Sequence, residues 1–254
     1  MTNCEKYKFS DFTLDNYRRL IKLALDKGFR FISYTEDFVG DRKDILWRHD
    51  VEFEPDVALK MAKIEYDLGV KSTYFFQMHS QYYNIFDNHY TNVLNQIREL
   101  GHYIGLHFDS HYYGIKDESE LNKFISVDRE YFEKVLNIKI NTFSFHNTTP
   151  FTQSCLEYKY GELINVYSSH FKEKFSYCGD SLGYWRFDRL EDVLNDNNVK
   201  HLQVLIHDAN WSEEVLSPRK RFRKTMLDHA ERLIRQQVEG LHRKGMLCPD
   251  DNED

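Results

Sequence analysis

The chain has little that marks it for an oxidising compartment, a membrane or a nucleic acid. Its cysteines, Cys4, Cys155, Cys178 and Cys248, stand far apart with no C-x-x-C spacing. The opening "MTNCEKYKFSDF" has no apolar signal core, so a reduced, cytoplasmic protein is expected. No apolar run approaches the roughly 18 residues that span a bilayer. A basic excess is missing too: 34 Lys plus Arg against 41 Asp plus Glu leave a net charge of −7. The one basic run, "SPRKRFRK" at Ser217 to Lys224, opens a helical pattern and reads as a solvated face, so nucleic-acid binding is not expected. Internal repeats, low-complexity stretches and Pro/Gly/Ser linkers are also lacking. The chain reads as a single domain whose acidic ending, "CPDDNED" at 248–254, is a frayed tail.

What is present is a regular alternation. With 254 residues, 41% of them hydrophobic, the chain can bury a substantial core. Thr13 caps a helical pattern in "LDNYRRLIKLALDK", which Gly28 stops, and "FRFIS" alternates as a strand. A strand "ILWRHDVEF" leads into a helix "PDVALKMAKIEYDLG" with Pro55 in its first turn. Strand "STYFFQ", helix "TNVLNQIRELG", strand "YIGLH", helix "ESELNKFISVDREYFEKVL" and strand "NTFSFH" repeat the unit. A short strand "LINVYSS", an irregular "FSYCGDSLGYWRF", a brief helix "LEDVLND" and a strand "LQVLIHD" follow, and a helix over about 218–244 closes the chain. Strands alternating with helices predict a parallel sheet. About seven of them in one domain predict an α/β fold of distorted (β/α)7 barrel type, ahead of an open doubly wound sheet.

Ionisable residues gather where these strands end: Asp50 and Glu52, His79, His107, His146, and His207 with Asp208. In a parallel barrel the carboxyl ends of the strands share one rim, where active sites lie. Asp50 and Glu52 are two apart on a strand, so their side chains leave the same face. Two neighbouring carboxylates repel unless a positive charge sits beside them. A divalent cation held by one carboxylate with His107 and His111 relieves that repulsion and keeps positions open for water and substrate, while the other carboxylate takes a proton from the water. The outline is that of a hydrolase. Zinc is the first expectation for one cation per chain, with other first-row divalents compatible.

Two of these stretches resemble motifs of the polysaccharide deacetylases of carbohydrate esterase family four. "RHDVEF" at 48–53 is similar to the motif of the branch that writes HDVD where most members write TFDDG. "GHYIGLHFDSH", Gly101 to His111, matches the lead and H-x-x-x-H of the second motif in full spacing. The resemblance spans about residues 40–212 and implies a distorted barrel with His107 and His111 as metal ligands and His102 as a structural residue. It also implies His207 as the catalytic acid, and a neighbouring carboxylate such as Asp208 is expected to favour its protonated form. Asp50 is aligned with the base and Glu52 with the metal carboxylate, the reverse assignment standing beside it. "FSFHNTTP" occupies the place of the third motif but has neither its arginine nor its aromatic, leaving Arg48 and Arg186 to orient the base. His79, His146, Asp180 and Arg186 are expected to contact substrate.

The implied activity is removal of an N-acetyl or similar acyl group from an amino sugar in a glycan precursor. Two other readings stand beside it. One is a binding or regulatory protein that has lost catalysis, motivated by the missing arginine motif and by Glu52 where the motif ends in Asp. The other is an amidase acting on a cyclic amide through the same chemistry.

Overall fold

A computed structural model describes residues 1–38 and 40–246. The expected frayed tail and Cys248 lie outside the described residues. In chain order the elements are α1 (Asn3–Lys6), α2 (Leu14–Asp26), β1 (Arg30–Phe31), β2 (Asp44–Val51), α3 (Pro55–Asp67), β3 (Thr73–Gln77), α4 (Asn88–Glu99) and β4 (Tyr103–Phe108). There follow α5 (Ser110–Tyr113), α6 (Glu118–Leu136), β5 (Thr142–Phe145), α7 (Pro150–Ser154), β6 (Lys159–Tyr160) and β7 (Leu163–Asn165). The chain continues through α8 (Ser169–Lys172), β8 (Ser176–Gly179), α9 (Leu190–Asn195), β9 (His201–His207) and α10 (Pro218–Arg243).

Local chemistry accounts for the boundaries. Thr13 Oγ1 accepts from Asn16 N to open α2, and Gly28 past its end takes φ +82°, a conformation that costs glycine little. Glu54 caps α3 ahead of Pro55, whose missing N–H is harmless in a first turn.

The strands form one curled sheet in the order β6-β7-β5-β4-β3-β2-β9-β8, with β1 also on β2. Every pairing is parallel except β6 with β7. Among the described residues no ladder joins β8 to β6 or β7, so the expected barrel is a half-barrel with a gap on one side. The expected "FRFIS" strand shortens to Arg30–Phe31. The segment read as irregular contains β8, which pairs with Ser176 opposite Leu202 and Gly179 opposite Leu205.

Side-chain alternation divides the sheet into an outer and an inner face. On β2, Ile45, Trp47 and Val51 pack under helices, while Leu46 points into the lumen with Phe75 of β3. On β9, Leu202, Val204 and Ile206 pack outward. The lower lumen is filled by Leu46, Phe75, Ile164 and Tyr34. Gly105 of β4 is required there, because a Cβ on it would stand 2.5 Å from the Phe75 ring.

The basic run on α10 is not uniformly solvated. Arg219, Lys220, Arg223 and Lys224 are exposed, but Arg221 is buried and donates to the carbonyls of Asn210 and Gly183. It pins together the loops that follow β8 and β9. No helix among the described residues is long and apolar enough to cross a membrane. Cys4, Cys155 and Cys178 are free thiols.

Candidate active site

The parallel ladders bring the ionisable strand ends to one rim. Asp50 of β2 lies opposite His207 of β9, and His107 of β4 lies between Gln77 of β3 and Ser144 of β5. Glu52 follows β2 in a turn fixed by Asp208, whose carboxylate accepts from the backbone N–H groups of Glu52 at 3.2 Å, Phe53 at 3.1 Å and Glu54.

Three side chains converge on one point. Glu52 Oε1 lies 3.0 Å from His107 Nε2 and 2.7 Å from His146 Nδ1, and the two nitrogens are 3.3 Å apart. Among the described residues these three form a group of ligand atoms close enough to share a metal ion. A tetrahedral ion bound at about 2.0–2.1 Å needs donors at similar separations.

Tautomers sharpen the test. Ser144 Oγ donates to Asp50 Oδ1 at 3.1 Å and lies 2.7 Å from His107 Nδ1. The hydroxyl has one proton and gives it to Asp50, so Nδ1–H of His107 is the donor to Oγ and Nε2 carries a lone pair. That lone pair faces the Glu52 carboxylate, an arrangement that calls for a proton or a cation between them. For His146, the Asn147 amide lies 2.8 Å from Nε2. Turning that amide end for end lets its carbonyl accept from Nε2–H and frees Nδ1 as a ligand. The donor set therefore fits a divalent cation.

Titration agrees with a tightly paired cluster. Burial pushes the Glu52 carboxyl upward, but its bonds to His107 and His146 and the charge of His207 outweigh this and hold it well below the usual range. For His146 burial pulls downward and the Glu52 bond and charge win, leaving it raised.

Asp50 is buried, with Arg48 Nη2 3.5 Å from its Oδ2. The Arg48 guanidinium is itself fully buried, donates to Tyr167 Oη at 2.8 Å and lies over that ring. Arg48, two residues before Asp50 on the same inner face, thus stands beside the acid. Arg186 instead lines the cavity mouth against Phe187.

His207 is held from behind. Its Nδ1 lies 2.6 Å from Asp180 Oδ1, and its backbone N–H is 3.1 Å from both oxygens of that carboxylate. Trp211 Nε1 donates to Asp180 Oδ2 at 2.9 Å. Burial drags the His207 imidazole down, but the charge and hydrogen bond of Asp180, with Glu52 and Asp50 behind, raise it to about 10. Asp208, expected to be this charge partner, holds the Glu52 turn instead.

Several expectations are redirected by these positions. His111, expected beside Glu52 and His107, lies within the short α5 and directs Nε2 to the Asn147 carbonyl at 2.8 Å. His146, expected to touch substrate, occupies the third corner. Asp180 is fully buried behind His207 and does not line the cavity. His79 stacks on Tyr112 at 3.7 Å and pairs with Tyr113 Oη at 3.1 Å, tying β3 to α5. His102 is structural as expected: it accepts from Ser72 N and sits 3.0 Å from the Ala62 carbonyl. Ser144, Tyr167 and Trp211 carry no motif and were found only by the fold.

Asp50, Glu52 and His207 open onto a cavity of about 1080 Å³. No family model and no curated protein matches the chain. Among solved structures it is similar to a family 4 carbohydrate esterase from Bacillus anthracis, at 16% identity over 89% of this chain and 86% of that one, with a TM-score of 0.44. It is also similar to the peptidoglycan deacetylase PdaC from Bacillus subtilis, at 14% identity over 80% of this chain and 98% of that one, with a TM-score of 0.42. Likeness at this level bears on neither residues nor activity, which rest on the geometry above.

Proposed function

We propose that the protein is a metal-dependent hydrolase that removes an acyl group from the nitrogen of an amino sugar. One observation carries the reading. The Glu52–His107–His146 corner, Asp50 with its Arg48 and Ser144 supports, and the His207–Asp180 couple lie along one rim, and Asp50, Glu52 and His207 face the same cavity.

When bound, a divalent cation supplies Lewis-acid polarisation of the acyl carbonyl. Glu52, His107 and His146 are the residues that hold it in this reading. Asp50, fixed by Ser144 and Arg48, accepts the proton of the attacking water. His207 enters protonated, because Asp180 stabilises its cationic form, and delivers a proton to the departing nitrogen. Buried Arg48, 3.5 Å from Asp50, supports a role in place of the third motif's arginine and weighs against an inactive binding protein.

The test is a panel of N-acylated glucosamines, their oligomers and a cyclic ureide, offered to zinc-loaded protein. Release of free amine and acid from the sugars is expected. Hydrolysis of none of them by folded, metal-loaded protein sinks the reading, and hydrolysis of the ureide alone moves it to the cyclic-amide class. Separately, His146→Ala and His111→Ala are compared in a chelator competition. Loss of affinity in the first and not the second is expected, and the reverse restores His111 to the ligand set.

A further inference from the structure

The cavity is larger and greasier than an acetyl group needs. Below the rim it runs into the lumen along Val166, Tyr167, Phe171, Phe175, Tyr177 and Leu205. Val166, Phe171 and Phe175 belong to the lumen core cluster, so part of that core presents its surface to a chamber. Closed barrels fill this space with side chains. Here, among the described residues, no ladder joins the edge strands β6 and β8, and Phe171 and Phe175, in and just after α8, line the cavity.

Two polar oxygens at this depth are already engaged, whereas buried Arg48 Nε and Nη1 beside Tyr167 have no hydrogen-bond partner. Tyr167 Oη accepts from Arg48, and Gln203 Oε1 accepts from Tyr34 Oη at 2.9 Å. The rim, by contrast, offers Asn147, Thr148, Ser181, Arg186 and Asn210. The whole cavity, rim and floor together, has a volume of about 1080 Å³, slightly above the roughly 300–1,000 Å³ of drug-sized ligand pockets.

We propose that the substrate carries a medium-length apolar acyl chain lodged in the chamber beneath Asp50 and His207. The inference rests on the reading of the site as an N-acyl amino-sugar hydrolase. In such a substrate the sugar is the polar half and belongs at the rim, where hydroxyls find partners. Only the acyl half can satisfy the floor.

The experiment compares zinc-loaded protein on N-acetyl-, N-butanoyl-, N-hexanoyl- and N-octanoylglucosamine, and titrates sodium octanoate calorimetrically. The expected result is a kcat/KM that climbs with chain length by up to roughly three- to fourfold per methylene. Val166→Trp, which projects a larger side chain into the chamber, should cut the octanoyl-to-acetyl ratio at least about tenfold and weaken octanoate binding to match. A rate that is flat or falls from acetyl onward overturns the chamber proposal and leaves the hydrolase reading standing. Hydrolysis of no N-acyl sugar overturns the hydrolase reading, and octanoate then decides the chamber. Binding that Val166→Trp abolishes upholds an apolar-chain site, and absence of binding to wild-type protein ends it. Should Val166→Trp fail to fold, the wild-type chain-length series and octanoate titration decide alone.

Discussion

A histidine that hands a proton to a leaving amine needs a carboxylate behind it, and Asp180 takes that position across 27 residues of chain. Asp180→Asn removes the charge but keeps an acceptor for the ring. The His207 imidazole should then fall from about 10 toward the ordinary value near 6.5, as a proton NMR titration of metal-free protein reads directly. The alkaline limb of the pH–rate profile should move down with it, because the acid must be protonated to act. Stability follows the same sign. The raised value contributes stability that is full below about 6.5 and lost as pH climbs through about 10, so the penalty of Asp180→Asn should shrink as pH rises from about 6.5 to about 10. Ser144 gives a second test. Ser144→Ala leaves His107 Nδ1 without a partner and should lower zinc affinity by about 10- to 100-fold, measured against a chelating dye. An unchanged affinity rules out the Ser144 tautomer lock. At this scale the sequence showed which strands end in His or in acid, since a two-residue period puts such groups on one face. It did not show which histidines meet. His111 has the helical i,i+4 spacing to His107, whereas His146 reaches the same point by the lateral pairing of β4 with β5, which no local spacing encodes.

Elements that begin or end in buried charge are pH-sensitive at their joints. Glu54 caps α3 and lies beneath α10, 3.2 Å from His229 Nδ1, with Arg232 reaching Asp56 at 3.3 Å and Tyr90 Oη. His89 also faces Asp56, at 2.8 Å. Burial and the Asp56 charge raise the Glu54 carboxyl to about 8. Between its unfolded value near 4.3 and about 8, the folded state holds more protons than the unfolded one, so this group makes stability fall as pH rises. His229, lowered by burial and by Arg232, works in the opposite sense. Glu54→Gln isolates the first contribution: urea unfolding at pH 5.5 and 8.5 should show a smaller loss in the variant than in the wild type. An equal loss in both shows that Glu54 is not the responsive group. The long helices were legible from caps and apolar periodicity. β8 was not, because "SYCG" has no β-branched run and exists as a strand only by pairing with β9.

Across the whole molecule the candidate metal corner draws on β2, β4 and β5, with β3 lying between the first two. These strands belong to a curled sheet that no ladder closes among the described residues, and the fold class was readable from the alternation of strands and helices while the gap was not. In the proposed reading a cation held by Glu52, His107 and His146 would brace the sheet as well as supply chemistry, and would bind the folded chain through a corner the unfolded chain does not assemble. At zinc one hundred times its dissociation constant the stabilisation is about 2.7 kcal/mol. For a chain of this size that raises Tm by roughly 5–11 °C, reversed by a chelator. Glu52→Gln and His107→Ala should abolish the shift, whereas Asp50→Asn should keep it while costing about 10² to 10⁴ in rate. The shift should also grow with pH, because His146, raised by Glu52, must lose its proton before it can ligate. Scanning calorimetry at pH 6 and pH 8 with and without zinc checks all of these. A shift that survives Glu52→Gln but disappears in Asp50→Asn exchanges the roles of the two acids. A zinc-independent Tm at both pH values removes the metal from the site, and with it the proposed reaction.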